Sequence, residues 1–214
     1  MGLESLGALL PGIPLTLTVT FGAFIFGSIF GVPLMFAKRS RFGLLRHPAT
    51  FLIDLLRSVP QLVWIFIVFY GLAQVGLKLS AVPAAILALG VYAAAYMAEI
   101  YRSGLIAVPK GQWEAGDSLG MSQGFVFRRV VAPQAVVVAL PSALTFLIGL
   151  IKDSSLASII GVTEIAFQAN IVATNDTSQA LTIYLWAALI YLVISVAAAA
   201  GVRVLEARMR TVKA

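Results

Sequence analysis

Cysteine is absent from the 214 residues, and histidine occurs once. The first absence excludes disulfide scaffolds, thiolate zinc sites and cysteine nucleophiles together. The second removes any histidine-rich metal cluster. Charge is scarce as well. Asp, Glu, Lys and Arg make up 11% of the chain, against about a quarter in an ordinary water-soluble domain. No glycine-rich phosphate loop of the Walker type occurs, so any ATP hydrolysis must lie on another chain. His47 stands before Pro48 in a basic stretch, and no Ser-His-Asp arrangement can be built with it. What is present is apolar: 60% hydrophobic residues and a mean hydropathy of +0.98. Most of such a surface faces lipid.

Crossing the hydrocarbon core takes about 20 predominantly apolar residues. Five runs free of acids and bases are long enough: 5–37, 58–77, 79–98, 130–151 and 177–202. They predict an all-α membrane protein with one transmembrane domain over 1–214. The expected spans lie near 12–37, 59–77, 81–101, 130–151 and 179–203, with a cytoplasmic loop over 102–129. Gly76, Ser80 and Pro83 around Lys78 signal a tight turn between the second and third spans. The stretch from Lys152 to Asp176 is too interrupted to span, and is expected to stay on one side or dip in partly. No Lys or Arg precedes the first run, which is also longer than a signal-peptide core, so a cleaved leader is not expected.

With five spans the loops alternate sides, and the basic residues then separate. Thirteen of the fifteen Lys and Arg, from Lys38 to Lys213, fall on one side, and only Lys78 and Lys152 on the other. The positive-inside tendency puts the N-terminus outside and the C-terminus in the cytoplasm. The net charge of +6 therefore reads as a topology signal, not as a nucleic-acid surface. In the first run Ala23, Gly27 and Gly31 recur every fourth residue, a spacing that lets another helix approach closely in lipid. Packing within the chain is the expected use. Thr16, Thr18 and Thr20 alternate as a strand would, but a lone strand cannot cross lipid.

Within 102–129, Pro109 breaks the preceding helix and Gln112–Leu119 can form a short new one. Gly120 is placed to stop it in a positive-φ conformation. Glu114 falls near its positive end, where it is expected to orient the first-turn amides. Gln123 to Arg129 can add a further turn leading to Pro133.

These residues carry a resemblance. Glu114-Ala115-Gly116, three residues, Gly120, nine residues and Val130-Val131-Ala132-Pro133 resemble the EAA signature of ABC-importer permeases. That signature has alanine where Gly116 stands, and this chain departs from it again at Val130 and Ala132. Further strings occur in order: Arg57-Ser58-Val59-Pro60, Ala95 to Ile100, Val108 to Gln112, Pro133-Gln134-Ala135 and Lys152-Asp153-Ser154-Ser155-Leu156. Together they are similar to the polar amino-acid subfamily, the histidine, glutamine, glutamate and cystine type. The resemblance implies a type I importer fold in a bacterial cytoplasmic membrane. It also implies two cytoplasmic ABC ATPase subunits, which would carry the ATP and Mg. A second permease subunit, the same or a sister chain, and an extracytoplasmic amino-acid-binding protein would complete the assembly. No cofactor is expected on this chain. The short helix would be the coupling helix, its ATPase contact made by Glu114, Ala115, Gly116, Asp117 and Gly120. Arg57 to Pro60 and the Asp176-Thr177-Ser178-Gln179 stretch lean toward glutamate/aspartate or glutamine as substrate.

Two further sets stand out. Lys152, Asp153, Ser154 and Ser155 end the fourth span, and charges at membrane depth default to function. They offer a cation for an amino acid's carboxylate, an anion for its ammonium, and hydroxyls for either. A helix starting near Ser154 would add free amides for an anion. Glu164 and Gln168, one turn apart, are candidates for the same path. The pairs Asp54 with Arg57, and Glu99 with Arg102, have the i,i+3 spacing of structural ion pairs. Other classes fit less well. An ion-coupled transporter or channel working alone needs acids well inside a span, and a membrane-embedded hydrolase needs paired catalytic residues there. Neither is present in the five runs.

Overall fold

The structure, a computed structural model, describes residues 2–211, with side chains over 6–207. Lys213 and the side chains of Arg208 and Arg210, counted in the charge asymmetry, lie outside the described residues. Every regular element among the described residues is helical. In chain order we label α1 Leu6–Lys38, α2 Gly43–Ser58, α3 Gln61–Gln74, α4 Ala81–Ile106, α5 Gly111–Ser118, α6 Gln123–Ile160, α7 Ile165–Asn175 and α8 Thr177–Ala207. The helices α1, α4, α6 and α8 are each long and apolar enough to cross a bilayer. The pair α2 and α3, bent by 105°, makes a fifth candidate if taken as one broken span.

At the centre stands α4, whose small residues Ala84, Ala85, Ala88, Ala93 and Ala95 are all buried. Small side chains let neighbours come close without a polar penalty, which is how helices associate in lipid. The glycines of α1 use this. A Cβ on Gly27 would lie 2.5 Å from Ala93 Cβ, and one on Gly31 would lie 2.7 Å from Met97 Cβ. The four-residue stripe of α1 therefore packs inside the chain. Thr16 and Thr20, buried, turn their hydroxyls back onto the Gly12 and Thr16 carbonyls at 3.2 and 2.7 Å.

Two proline effects shape the rest. Pro60 disfavours helix at the residue before it, and Val59 is extended (φ −91°, ψ 136°), so the chain turns sharply between α2 and α3. The segment before that turn is itself helical. In α2, Ala49, Ile53 and Leu56 are buried at i, i+4 and i+7, the stripe of a surface helix. In α6, Pro133 has no N–H to give and its ring crowds the carbonyl four residues back. A π turn over Phe127–Val131, closed by the Ala132 N–H onto Phe127 O, takes up that misfit.

Past Asp153 the chain does not start a new helix. Ser154–Ile160 continues α6 as a 3-10 segment, and the Ser154 N–H is spent on Leu150 O. The anion site expected at a helix start near Ser154 is thus absent, because those amides are inside a continuing helix. The true helix start is α7, with Glu164 as its cap. Asp176 caps the following 3-10 turn, accepting from Ser178 N at 3.1 Å and Gln179 Nε2 at 2.6 Å. The Ser178 hydroxyl bond, first, and these others hold its exposed carboxyl below the usual carboxylate range.

Candidate functional site

Gly111–Ser118 is a two-turn helix with opposite faces. Glu114, Ala115, Asp117 and Leu119 are exposed, Leu119 by 73%. On the other side Trp113 stacks on Phe127 at 6.4 Å, and Phe127 meets Phe36 of α1 edge-on at 5.8 Å. Gly116 is buried against Val126, and a Cβ there would lie 2.4 Å from Val126 Cγ2. The departure from the alanine of the signature thus has a packing reason. Gln134 Nε2 donates to Gln112 Oε1 at 3.1 Å, and Gln123 Nε2 donates to Asp117 Oδ1, tying the helix to α6 at both ends.

Its C-terminus is a Schellman turn. Gly120 has φ +68°. Its N–H reaches Asp117 O at 2.9 Å, and Met121 N–H reaches Gly116 O at 3.0 Å. Both are orphan carbonyls of the last turn, satisfied in the way a left-handed glycine permits. Glu114 falls in the first turn, as expected. Among the described residues its carboxylate accepts no hydrogen bond from the first-turn amides, so its contribution there is charge against the helix dipole.

A second site lies at the break between α2 and α3. Arg57, Ser58, Pro60, Gln61, Tyr92 and Leu156 line an open pocket of about 450 Å³. Asp153, part-buried, accepts from Gln61 Nε2 at 2.8 Å. Tyr92 stands beside Gln61 and Asp153, and Tyr96 stacks on Phe146 at 5.2 Å. The Arg57 guanidinium lies over the Tyr96 ring, 4.8 Å from its centre, a favourable cation–π position. The pocket thus offers one cation and the ring of Tyr92, and the Asp153 carboxylate, with lone pairs to spare, is held beside it through Gln61. Sequence reasoning missed Gln61, Tyr92 and Tyr96. Each is an ordinary residue of an apolar run, and only the fold brings them to Asp153.

The remaining path candidates separate. Lys152 is exposed, Ser155 is half-buried, and Ser154 is buried with its hydroxyl on Ile151 O at 2.7 Å. Glu164 is fully buried in another cluster. Its Oε1 accepts from Phe167 N at 2.9 Å, and its Oε2 accepts from the Tyr191 hydroxyl and, at 3.4 Å, from Thr16 Oγ1. Gln168, half-buried on the next turn of α7, makes no described side-chain bond to it.

One expected ion pair forms and one is replaced. Glu99 takes Arg102 through Nη2 at 2.7 Å and Nε at 2.9 Å. Asp54 does not take Arg57, which is turned onto Tyr96. Its partner is Lys38, at 3.6 Å, and Lys38 also reaches Glu99 at 2.7 Å. The i,i+3 geometry allows a pair without requiring it, and here a cation from the end of α1 competes successfully. The outcome links the ends of α1, α2 and α4 in one network.

Residues 23–211 match the family described as the inner membrane component of binding-protein-dependent transport systems. The chain is similar to a probable amino-acid ABC transporter permease protein of Bacillus subtilis. The two are 39% identical over 206 residues, 96% of this chain and 91% of that one. It is also similar to an L-cystine transport system permease protein of the same organism, at 37% identity, covering 92% and 85%. A solved amino acid ABC transporter, crystallised with histidines, superposes with a TM-score of 0.90 at 32% identity, covering 96% of each chain. An inward-facing methionine ABC transporter shares the fold, with a TM-score of 0.70 at 22% identity over 92% of this chain and 95% of that one.

Proposed function

The chain belongs to the family of binding-protein-dependent transport inner membrane components and is the permease subunit of an amino-acid ABC importer, and from that membership we propose that α5 is the helix through which a separate ATPase drives it. It is a transport component and not an enzyme. The carrying observation is the two-sidedness of α5: an exposed face of Glu114, Ala115, Asp117 and Leu119, backed by Trp113 and Gly116 on the base of α6. A push on such a helix passes straight into a membrane span. Two ATPase subunits carrying ATP and Mg, a second permease subunit and an extracytoplasmic binding protein complete the machine. The N-terminus lies outside and the C-terminus in the cytoplasm. The position of Phe36 and the Lys38 network at the same end as α5 supports this sense.

The amino acid passes the pocket at the α2–α3 break. Arg57 takes the carboxylate, and Asp153, with Lys152 near, receives the ammonium. A polar substrate, glutamate/aspartate or glutamine, suits this set, since Gln61 can exchange its bond to Asp153 for one to a side-chain oxygen.

The test is ATP hydrolysis by reconstituted complexes, with and without binding protein and amino acid. Glu114→Lys and Gly120→Val are expected to insert and fold but to lose the stimulated activity. Valine fits a positive φ worst, at a local cost of roughly 1–2 kcal/mol. Wild-type stimulation in both variants rejects the coupling role.

A further inference from the structure

The flank of the molecule formed by α1, α4 and α6 carries a cleft separate from the pocket at the α2–α3 break. Its floor is Met97, Tyr101 and Leu105 of α4, and its walls are Val32 and Phe36 of α1 and Val136 and Leu140 of α6. It encloses about 500 Å³, within the range of small-molecule sites. Tyr101, a polar group on its floor, is already spent, donating to Ser28 O at 3.2 Å. Toward the α5 end the cleft shares Phe36, Leu105 and Phe127 with a second hollow of about 550 Å³, lined also by Arg39, Ser40 and Trp113. The two form one trough, apolar along its length and polar at its mouth.

Charge decides what fits. Among the described residues no acid lines either hollow. Lys38 is neutralised by Glu99 and Asp54. Arg39, the next residue, is exposed and has no ion-pair partner among the described residues. The Trp113 indole N–H, at the same mouth, likewise has no described acceptor. An occupant must therefore be an amphiphile: a long apolar body and one anionic group. Basic hollows between spans on the cytoplasmic side bind anionic headgroups, and Trp and Arg favour the headgroup level.

We propose that this trough binds one anionic glycerophospholipid of the cytoplasmic leaflet, its phosphate at Arg39 and Trp113 and an acyl chain along the α1–α6 cleft. The leaflet rests on the orientation proposed above; the site itself does not. The lipid lies against the Trp113–Phe127 stack, so it braces the rear of α5 against α1.

The test is native mass spectrometry of the permease–ATPase complex, extracted from vesicles of equal phosphatidylglycerol and phosphatidylcholine. The wild type is expected to retain phosphatidylglycerol in preference. Arg39→Gln is expected to cut that retention about fivefold, the effect of one basic residue at an anionic surface. Val136→Trp, at a position 59% exposed where an indole is accommodated without disturbing the core, fills the cleft and removes the adduct. Arg46→Gln, outside the trough, leaves it unchanged. Equal retention in the wild type, Arg39→Gln and Val136→Trp overturns the proposal, as does an assembled complex in which a protein segment fills the trough. The adduct is read without ATP. Loss of stimulation in Glu114→Lys with the lipid retained therefore tests coupling alone.

Discussion

Glu164 and Asp153 flank the same 3-10 segment and have opposite surroundings. Glu164 has no exposure, and both its oxygens are taken, by the Phe167 amide on one side and by Tyr191 and Thr16 on the other. Asp153 has one described donor, Gln61, a residue that lines the open pocket at the α2–α3 break. A carboxylate removed from water is tolerated only when its lone pairs are filled. Glu164 meets that condition with groups of the protein and so fastens α1, α7 and α8 together. Asp153 leaves it partly unmet, which is the condition for receiving a ligand. Saturation, more than burial or charge, separates a fastener from a site.

The largest expected effect is at the fastener. Glu164→Ala strands the Tyr191 hydroxyl and uncaps α7, and is expected to cost about 2–4 kcal/mol, the sum of an orphaned buried polar group and a lost cap. Thermal unfolding of the complex in detergent measures it. Glu164→Gln, which keeps an acceptor, should recover most of the loss. An unfolding curve unchanged in both would erase the contrast with Asp153. At the open site the order reverses. Asp153→Asn retains the bond from Gln61 and should shift stability by under about 1 kcal/mol. It removes the charge proposed to receive a substrate ammonium, and uptake into proteoliposomes is expected to fall about tenfold, the weight of one charge-assisted hydrogen bond. Wild-type uptake in Asp153→Asn and Lys152→Ala together would return these residues to a structural role. The smallest effect belongs to Asp54, whose side chain is 58% exposed at 3.6 Å from Lys38. Asp54→Asn should move the unfolding free energy by under about 0.5 kcal/mol.

How much of this was legible in the chain depended on sequence distance. The membrane character and the candidate spans follow from uncharged runs, which are local. The stop at Gly120 was equally local, since a turn's hydrogen bonds close within six residues. Helix α2 left a readable trace in Ala49, Ile53 and Leu56, obscured by the basic residues and Pro48 around them. Asp54 could not be paired correctly, because Lys38 reaches it only after α1 and α2 have packed side by side. Glu164 was less legible still. Thr16 and Tyr191, which close it off, are 148 and 27 positions away, and no periodicity announces such a meeting. The pocket around Asp153 has the same character: Gln61, 92 positions distant, turns toward it because Pro60 breaks the helix just before.

The contact between Gly116 and Val126 makes those two positions one unit of volume divided between two neighbours. What the short helix lacks, the base of α6 supplies. The loop is therefore not an interchangeable module. Grafting in a segment with alanine at 116 would lift the helix off its seat by the width of a methyl group, or force Val126 aside. Trimming 126 to alanine at the same time removes the two closest atoms and leaves a Cβ–Cβ approach of 3.3 Å, which a shift of a few tenths of an ångström relieves. A chimera between two such permeases should thus carry its junction beyond residue 126, so that both halves of the shared volume come from one parent.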